Sequence, residues 1–89
     1  MAQQNAMPQP VIIDTDIGDD IDDAFALALA LKSPELKIVG ITTTFGDTEM
    51  RARIVDRYLA AVGRADIPVA AGPKSQTDNV MTQKAYAMR

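Results

Sequence analysis

The sequence predicts an α/β domain built on a parallel sheet. Three observations carry that expectation: three short strand-like runs, the first two rich in β-branched residues, two helix-forming stretches between them, and proline or glycine at the junctions. Alternating strands and helices of these lengths fold as crossovers, which gives the order β-α-β-α-β with right-handed connections. The 89 residues are enough for one small domain, because domains usually run to about 100–150 residues.

Residues 1–10 are polar and hold two of the prolines and no positive side chain. They read as a flexible leader, not an intact signal peptide, although the stub left after one would look the same. Val11-Ile12-Ile13 is a β-branched run ending at Asp14, as expected of a first strand buried on both faces. From Asp22 or Asp23 to about Lys32 the chain is made of strong helix formers, apolar almost all round from Ala24 to Leu31, so this helix is expected to be buried on most sides. Asp19, Asp20 and Asp22 stand where they can cap its first turn, and Ser33-Pro34 ends it.

Residues 36–44, with Ile38, Val39, Ile41 and three threonines, read as the second strand. Asp47-Thr48 is an N-cap signal. Met50, Ile54, Val55, Tyr58, Leu59 and Val62 then recur at helical spacing as far as Gly63. Arg51, Arg53 and Arg57 read as its solvated face, and Phe25, Tyr58 and Leu59 as core. Val69-Ala70-Ala71 before Gly72-Pro73 is a short third strand, residues 74–79 are loop, and residues 80–89, which include Met81, Tyr86 and Met88, begin a further helix. The whole is Rossmann-like. In such sheets ligands bind beyond the carboxyl ends of the strands, here residues 14–23, 43–47 and 71–73.

Composition narrows the chemistry. The chain is 47% hydrophobic and 24% charged, which disfavours wholesale disorder. It has no cysteine and no histidine, so thiolate nucleophiles, disulfides and zinc sites of the usual kind are excluded for this chain. Its longest apolar stretch is far short of the roughly 20 residues that span a bilayer. With no basic stripe and few aromatics, nucleic acid is not an expected partner.

The net charge of −3 conceals a local feature: Asp14, Asp16, Asp19, Asp20, Asp22 and Asp23 supply half of the twelve acidic residues within ten positions. Helix capping needs one or two acids, not six. Carboxylates crowded at a strand end repel one another, and either a proton or a hard divalent cation, calcium or magnesium, sustains them. Asp14 and Asp16 share a face if the strand runs through them, and Gly18 lets the backbone turn. An EF-hand loop does not fit, because Gly18 and Asp19 stand where it needs an oxygen donor and then glycine. The Asp-x-Asp of haloacid dehalogenase phosphatases and the aspartate pairs of prenyl-diphosphate synthases match poorly: Gly18 occupies a threonine or valine position in the first, and a strand precedes the acids in the second.

The run from Val11 to Leu27, with Asp14-Thr15-Asp16-Ile17-Gly18 and Asp22-Asp23-Ala24-Phe25-Ala26-Leu27, resembles the amino-terminal fingerprint of the inosine/uridine-preferring nucleoside hydrolases. The resemblance continues through Gly40-Ile41-Thr42-Thr43-Thr44-Phe45-Gly46-Asp47 and Val69-Ala70-Ala71-Gly72-Pro73. It implies that residues 11–89 are the amino-terminal part of a larger hydrolase domain. It also implies calcium as cofactor and cleavage of the N-glycosidic bond of ribonucleosides by an activated water. Carried over, Asp16 is the general base and a calcium ligand, Asp23 a second ligand, Asp22 an acceptor for ribose hydroxyls, and Asp47 a pocket residue; Asp14, Gly18, Asp19 and Asp20 support the loop.

The family's common form has one residue between the glycine and the aspartate pair, where this chain has Asp19-Asp20-Ile21. Asp22-Asp23 keeps the following residues in register, with Asp19-Asp20 the alternative pair. The family's helping histidine and a further calcium-binding aspartate come from later sequence. The 89-residue chain alone is therefore expected to be weakly active or inactive, and the full-length form to be a homo-oligomer, cytoplasmic or, behind a signal peptide, exported. A non-catalytic calcium-binding or assembly module and a magnesium-dependent phosphotransferase are the alternatives that the residues themselves leave open.

Overall fold

The computed structural model describes residues 7–19, 21–76, 81 and 83–88. Strand β1 (Gln9–Thr15), helix α1 (Asp22–Leu31), strand β2 (Leu36–Thr43), helix α2 (Thr48–Ala61), strand β3 (Val69–Ala71) and the short helix α3 (Lys84–Ala87) follow one another along the chain. The strands form one sheet in the order β1-β2-β3, and both pairs are parallel, as the alternating pattern requires. No helix among the described residues is long and apolar enough to cross a membrane.

Strand β1 starts two residues earlier than the β-branched run. Gln9 N–H donates to Glu35 O at 2.8 Å, and Gln9 sits opposite Leu36, so Gln9 and Pro10 belong to the sheet and not to a leader. The expected leader's residues 1–6 lie outside the described residues. Pro10 is tolerated because β1 is an edge strand of the described sheet. The expectation that β1 is buried on both faces is corrected, since Ile12 is 67% exposed.

Helix α1 is also less covered than its composition implies. Leu27 is buried, with Ala24 and Leu31 half-buried on the same i, i+3, i+7 stripe, whereas Phe25 and Leu29 are 68% and 71% exposed. A helix lying on one face of a sheet buries one stripe only, and Phe25 and Leu29 fall beside it, so Phe25 is not core. Ile21, not an aspartate, occupies the N-cap position of α1, without a side-chain bond, and Asp22 and Asp23 lie in the first turn. Ser33 Oγ closes the other end by donating to Leu29 O at 2.7 Å.

Strand β2 is the centre of the domain, with Ile38, Ile41 and Thr43 buried. It ends at Thr43; Thr44 N–H instead reaches Thr15 O at 3.0 Å. Helix α2 buries Ile54, Val55 and Leu59 against the sheet, while Val62, expected on that stripe, is its exposed C-cap. Strand β3 pairs Val69–Ala71 with Ile41–Thr43, and Gly72 N–H then donates to Thr43 O at 3.0 Å. A Cβ on Gly72 would collide with that same carbonyl, which is why glycine stands there. Residues 77–79 of the expected loop, and Val80, Thr82 and Arg89 of the expected final helix, lie outside the described residues. Helix α3 packs against α2 through buried Ala87 and places Tyr86 5.3 Å beneath the Arg57 guanidinium.

Candidate functional site

Thr15, Thr43 and Ala71 are level with one another across the sheet, so the segments that follow them leave the same carboxyl edge. The first segment is ordered by its own side chains. Thr15 Oγ1–H donates to Asp23 Oδ2 at 2.6 Å, and Asp16 N–H donates to the same oxygen at 3.1 Å. Ile17 N–H closes back onto Thr15 Oγ1 at 3.1 Å, and the buried Ile17 side chain anchors the turn in the core. The helix that carries Asp23 thus delivers its carboxylate to the end of β1, where Asp16 follows Thr15.

The two carboxyls share a hydrogen bond, which raises Asp16 above the ordinary carboxylate range; burial and the charge of Asp23 push it the same way, and Arg51 offsets part of this. Asp23 is held below that range, chiefly by the Thr15 hydroxyl and then by its bond with Asp16. Two adjacent carboxyls disfavour each other's ionisation, so Asp16 is the one of the pair with the higher affinity for a proton.

The other expected site residues take varied positions. Asp14 Oδ1 accepts from Thr42 Oγ1 at 2.8 Å across the β1–β2 pair. Asp22 is exposed at the start of α1. Asp19 pairs with Arg51 Nη2 at 3.1 Å. Asp20 lies outside the described residues. Of the Asp22-Asp23 pair, it is Asp23 whose carboxylate meets the Asp16 amide. Gly18 has φ 134°, and a Cβ there would come within 2.9 Å of Met81 Sδ and 3.0 Å of Arg51 Nη1. Any side chain at position 18 therefore displaces its neighbours.

Asp47, expected in the pocket, is the N-cap of α2: its Oδ1 accepts from Met50 N–H at 3.1 Å while the side chain stays exposed. Asp47→Ala is expected to lower stability by about 1 kcal/mol, the usual cost of losing such a cap, as read from a urea titration. Around it the second and third segments are laced together. Thr48 Oγ1–H donates to Gly72 O at 2.5 Å, Ser75 Oγ bonds Gly46 N–H at 2.7 Å, and Lys74 Nζ meets Glu49 at 2.9 Å.

Arg51 overturns its sequence reading. It is 2% exposed, not part of a solvated face. Its Nε donates to Phe45 O at 2.7 Å, and its Nη1 to Asp16 O at 2.9 Å and Ile17 O at 3.1 Å. The signal was present in the spacing: Arg51 stands three, four and seven residues before Ile54, Val55 and Tyr58, on the apolar stripe itself. Arg53 and Arg57 are offset from that stripe and are exposed.

No group of three or more acidic, histidine or cysteine side chains among the described residues converges as a complete metal cage. Asp16 and Asp23 are a converging oxygen pair, which suits part of a hard-cation site needing six to eight oxygen donors.

The acidic loop thus lies at the carboxyl edge of an open parallel sheet, the edge at which α/β domains bind ligands. The model of the family described as inosine-uridine preferring nucleoside hydrolase matches residues 11–87, and the chain belongs to that family. It is 50% identical over 64 residues to a probable uridine nucleosidase 2 of Arabidopsis thaliana, covering 70% of this chain and 19% of that protein. It is 48% identical over 68 residues to the pyrimidine-specific ribonucleoside hydrolase RihA of Photobacterium profundum, covering 74% of this chain and 21% of the relative. The solved plant nucleoside hydrolase PpNRh1 superposes with a TM-score of 0.71 at 39% identity, over 82% of this chain and 24% of that one. The chain thus spans about a fifth of the length of the curated relatives it matches.

Proposed function

We propose that this chain supplies the metal- and ribose-binding half of a site that hydrolyses the N-glycosidic bond of ribonucleosides to ribose and free base. The observation that carries the proposal is the convergence of Asp16 and Asp23 at the carboxyl edge of the sheet. These two carboxylates would hold calcium together with further oxygen donors. A calcium ion bound there supplies a polarised, oriented water.

Asp16, directly after β1 and beside Asp23, would take the proton of an attacking water. Asp23, fixed by Thr15 and the Asp16 amide, keeps the negative charge beside it. Asp22 and Asp47, both exposed at this edge, accept hydrogen bonds from ribose hydroxyls and orient the sugar. Breaking the C–N bond leaves oxocarbenium character on the ribose, and the clustered carboxylates favour that cationic state over the neutral substrate. The chain has no histidine, so departure of the base is assisted by groups other than an imidazole of this chain.

Calcium titration by calorimetry tests the reading. The 89-residue chain is expected to bind calcium, and Asp16→Asn to weaken binding by about tenfold or more, equivalent to about 1.4 kcal/mol. Unchanged affinity in both Asp16→Asn and Asp23→Asn would sink it. Both curated relatives described above are named for pyrimidine nucleosides, so uridine is the first substrate to assay. Turnover by the 89-residue polypeptide is expected to be weak or absent; rapid uridine hydrolysis would show that it holds a complete site.

A further inference from the structure

Among the described residues the buried polar side chains are Thr15, Thr43, Thr48 and Arg51, and of these only Arg51 carries a charge. A buried guanidinium is tolerated only when its charge and its donors are met. Here they are met by two loops far apart in sequence. Asp16 O, Ile17 O and Asp19 Oδ2 come from the loop after β1, and Phe45 O from the loop after β2. Phe45 has φ 73°, in the left-handed region that a bulky residue rarely adopts, and the Arg51 guanidinium lies 5.6 Å from its ring centroid while bonding its carbonyl.

We infer that Arg51 is the positioning residue of the aspartate loop. It grips the carbonyls of Asp16 and Ile17, fixing the direction in which the Asp16 carboxyl leaves the strand end, and sets it against Asp23 before any cation arrives. The inference rests on the cation-binding reading above. Its planar fork matters more than its charge: lysine keeps the charge but cannot span the four acceptors.

Charge and positioning predict opposite signs. A positive side chain beside a cation site repels the cation, so removing it should tighten calcium binding if charge is all that counts. If Arg51 positions the loop, removing it should weaken binding. The test uses the 89-residue chain with Arg51→Met and Arg51→Lys, calcium chloride by calorimetry, and amide exchange by NMR. The expected result is calcium affinity lowered by about tenfold in both variants. The Asp16 and Ile17 amides, now bonded to Asp23 and Thr15, should also exchange about tenfold faster while β2 amides keep their protection.

Calcium binding by folded Arg51→Met as tight as in the wild type, or tighter, would overturn the inference. If Arg51→Met does not fold, Arg51→Lys decides it, and wild-type affinity with wild-type exchange in that variant would also overturn it. If the wild-type chain binds no calcium, the cation reading fails separately and exchange alone decides the role of Arg51. Loosening confined to residues 16–19 and 45–46 supports it; uniform loosening, or none, overturns it.

Discussion

Asp23→Asn is expected to cost this chain both its cation affinity and the order of its first loop. One oxygen, Asp23 Oδ2, receives the Thr15 hydroxyl at 2.6 Å and the Asp16 amide at 3.1 Å. Hydrogen bonds to a charged acceptor contribute about 1.5–3 kcal/mol when well protected, and less in a site partly open to water. The amide of asparagine keeps the shape but removes the charge, and it can turn a donor toward the Thr15 hydroxyl. A stability loss of about 1–2 kcal/mol is therefore expected in a urea titration, together with a fall in calcium affinity of about tenfold or more. Asp22→Asn is the control. Asp22 is the chain neighbour of Asp23 but exposed, so stability should change by no more than about 0.5 kcal/mol and calcium affinity should stay near that of the wild type. Equal effects from the two substitutions would mean that the acidic block acts through its summed charge and not through Asp23.

Leu59→Ala is expected to have the largest effect on folding. Leu59 is 1% exposed and belongs to the core shared by α2 and the sheet, with Val55, Ile41 and Ile67. Removing a buried leucine to alanine costs about 2–5 kcal/mol, transfer and cavity terms together. A domain of this size has about 4–13 kcal/mol in total, so the substitution removes a large fraction and the urea midpoint should fall sharply. Phe25→Ala offers the contrast. A side chain 68% exposed should lose no more than about 0.5 kcal/mol, although its sequence context is the more hydrophobic of the two. A Phe25→Ala cost matching that of Leu59→Ala would mean that α1 is packed on both sides.

These two helices show which features the sequence carries and which it does not. The element order was legible because strand and helix signals are local: β-branched runs at β1 and β2, the short Val69-Ala70-Ala71 run before Gly72-Pro73 at β3, and Gly63 and Pro34 as punctuation. The covered face of α2 was legible because polar and apolar residues alternate at helical spacing. The covered face of α1 was not, because a helix apolar all round gives no information about which side meets the sheet. Phe25 and Leu29 therefore resembled Leu27 until the packing was seen.

The site divides in the same way. A dense acidic block at a strand end marks itself in one dimension, and the family resemblance singles out Asp16 and Asp23. What joins them is Thr15, whose side chain follows from strand alternation but whose bond to Asp23 needs the three-dimensional return of α1. Arg51 was misread because charge outweighed position: an arginine on an apolar stripe is buried only when acceptors await it, and those acceptors are backbone carbonyls supplied by two other segments. The cap role of Asp47 was visible as a local signal, independent of any part it takes in binding sugar.

The central claim is that the loop between β1 and α1 is a cation site organised by Asp16 and Asp23. Its most direct test is an NMR titration of the isotopically labelled 89-residue chain with calcium chloride, following every backbone amide. The account predicts saturable shifts concentrated at residues 14–23, weaker ones at Phe45 and Gly46 through Arg51, and still resonances in the second half of α2. Saturable shifts centred elsewhere, or none at any calcium concentration the chain tolerates, would contradict it.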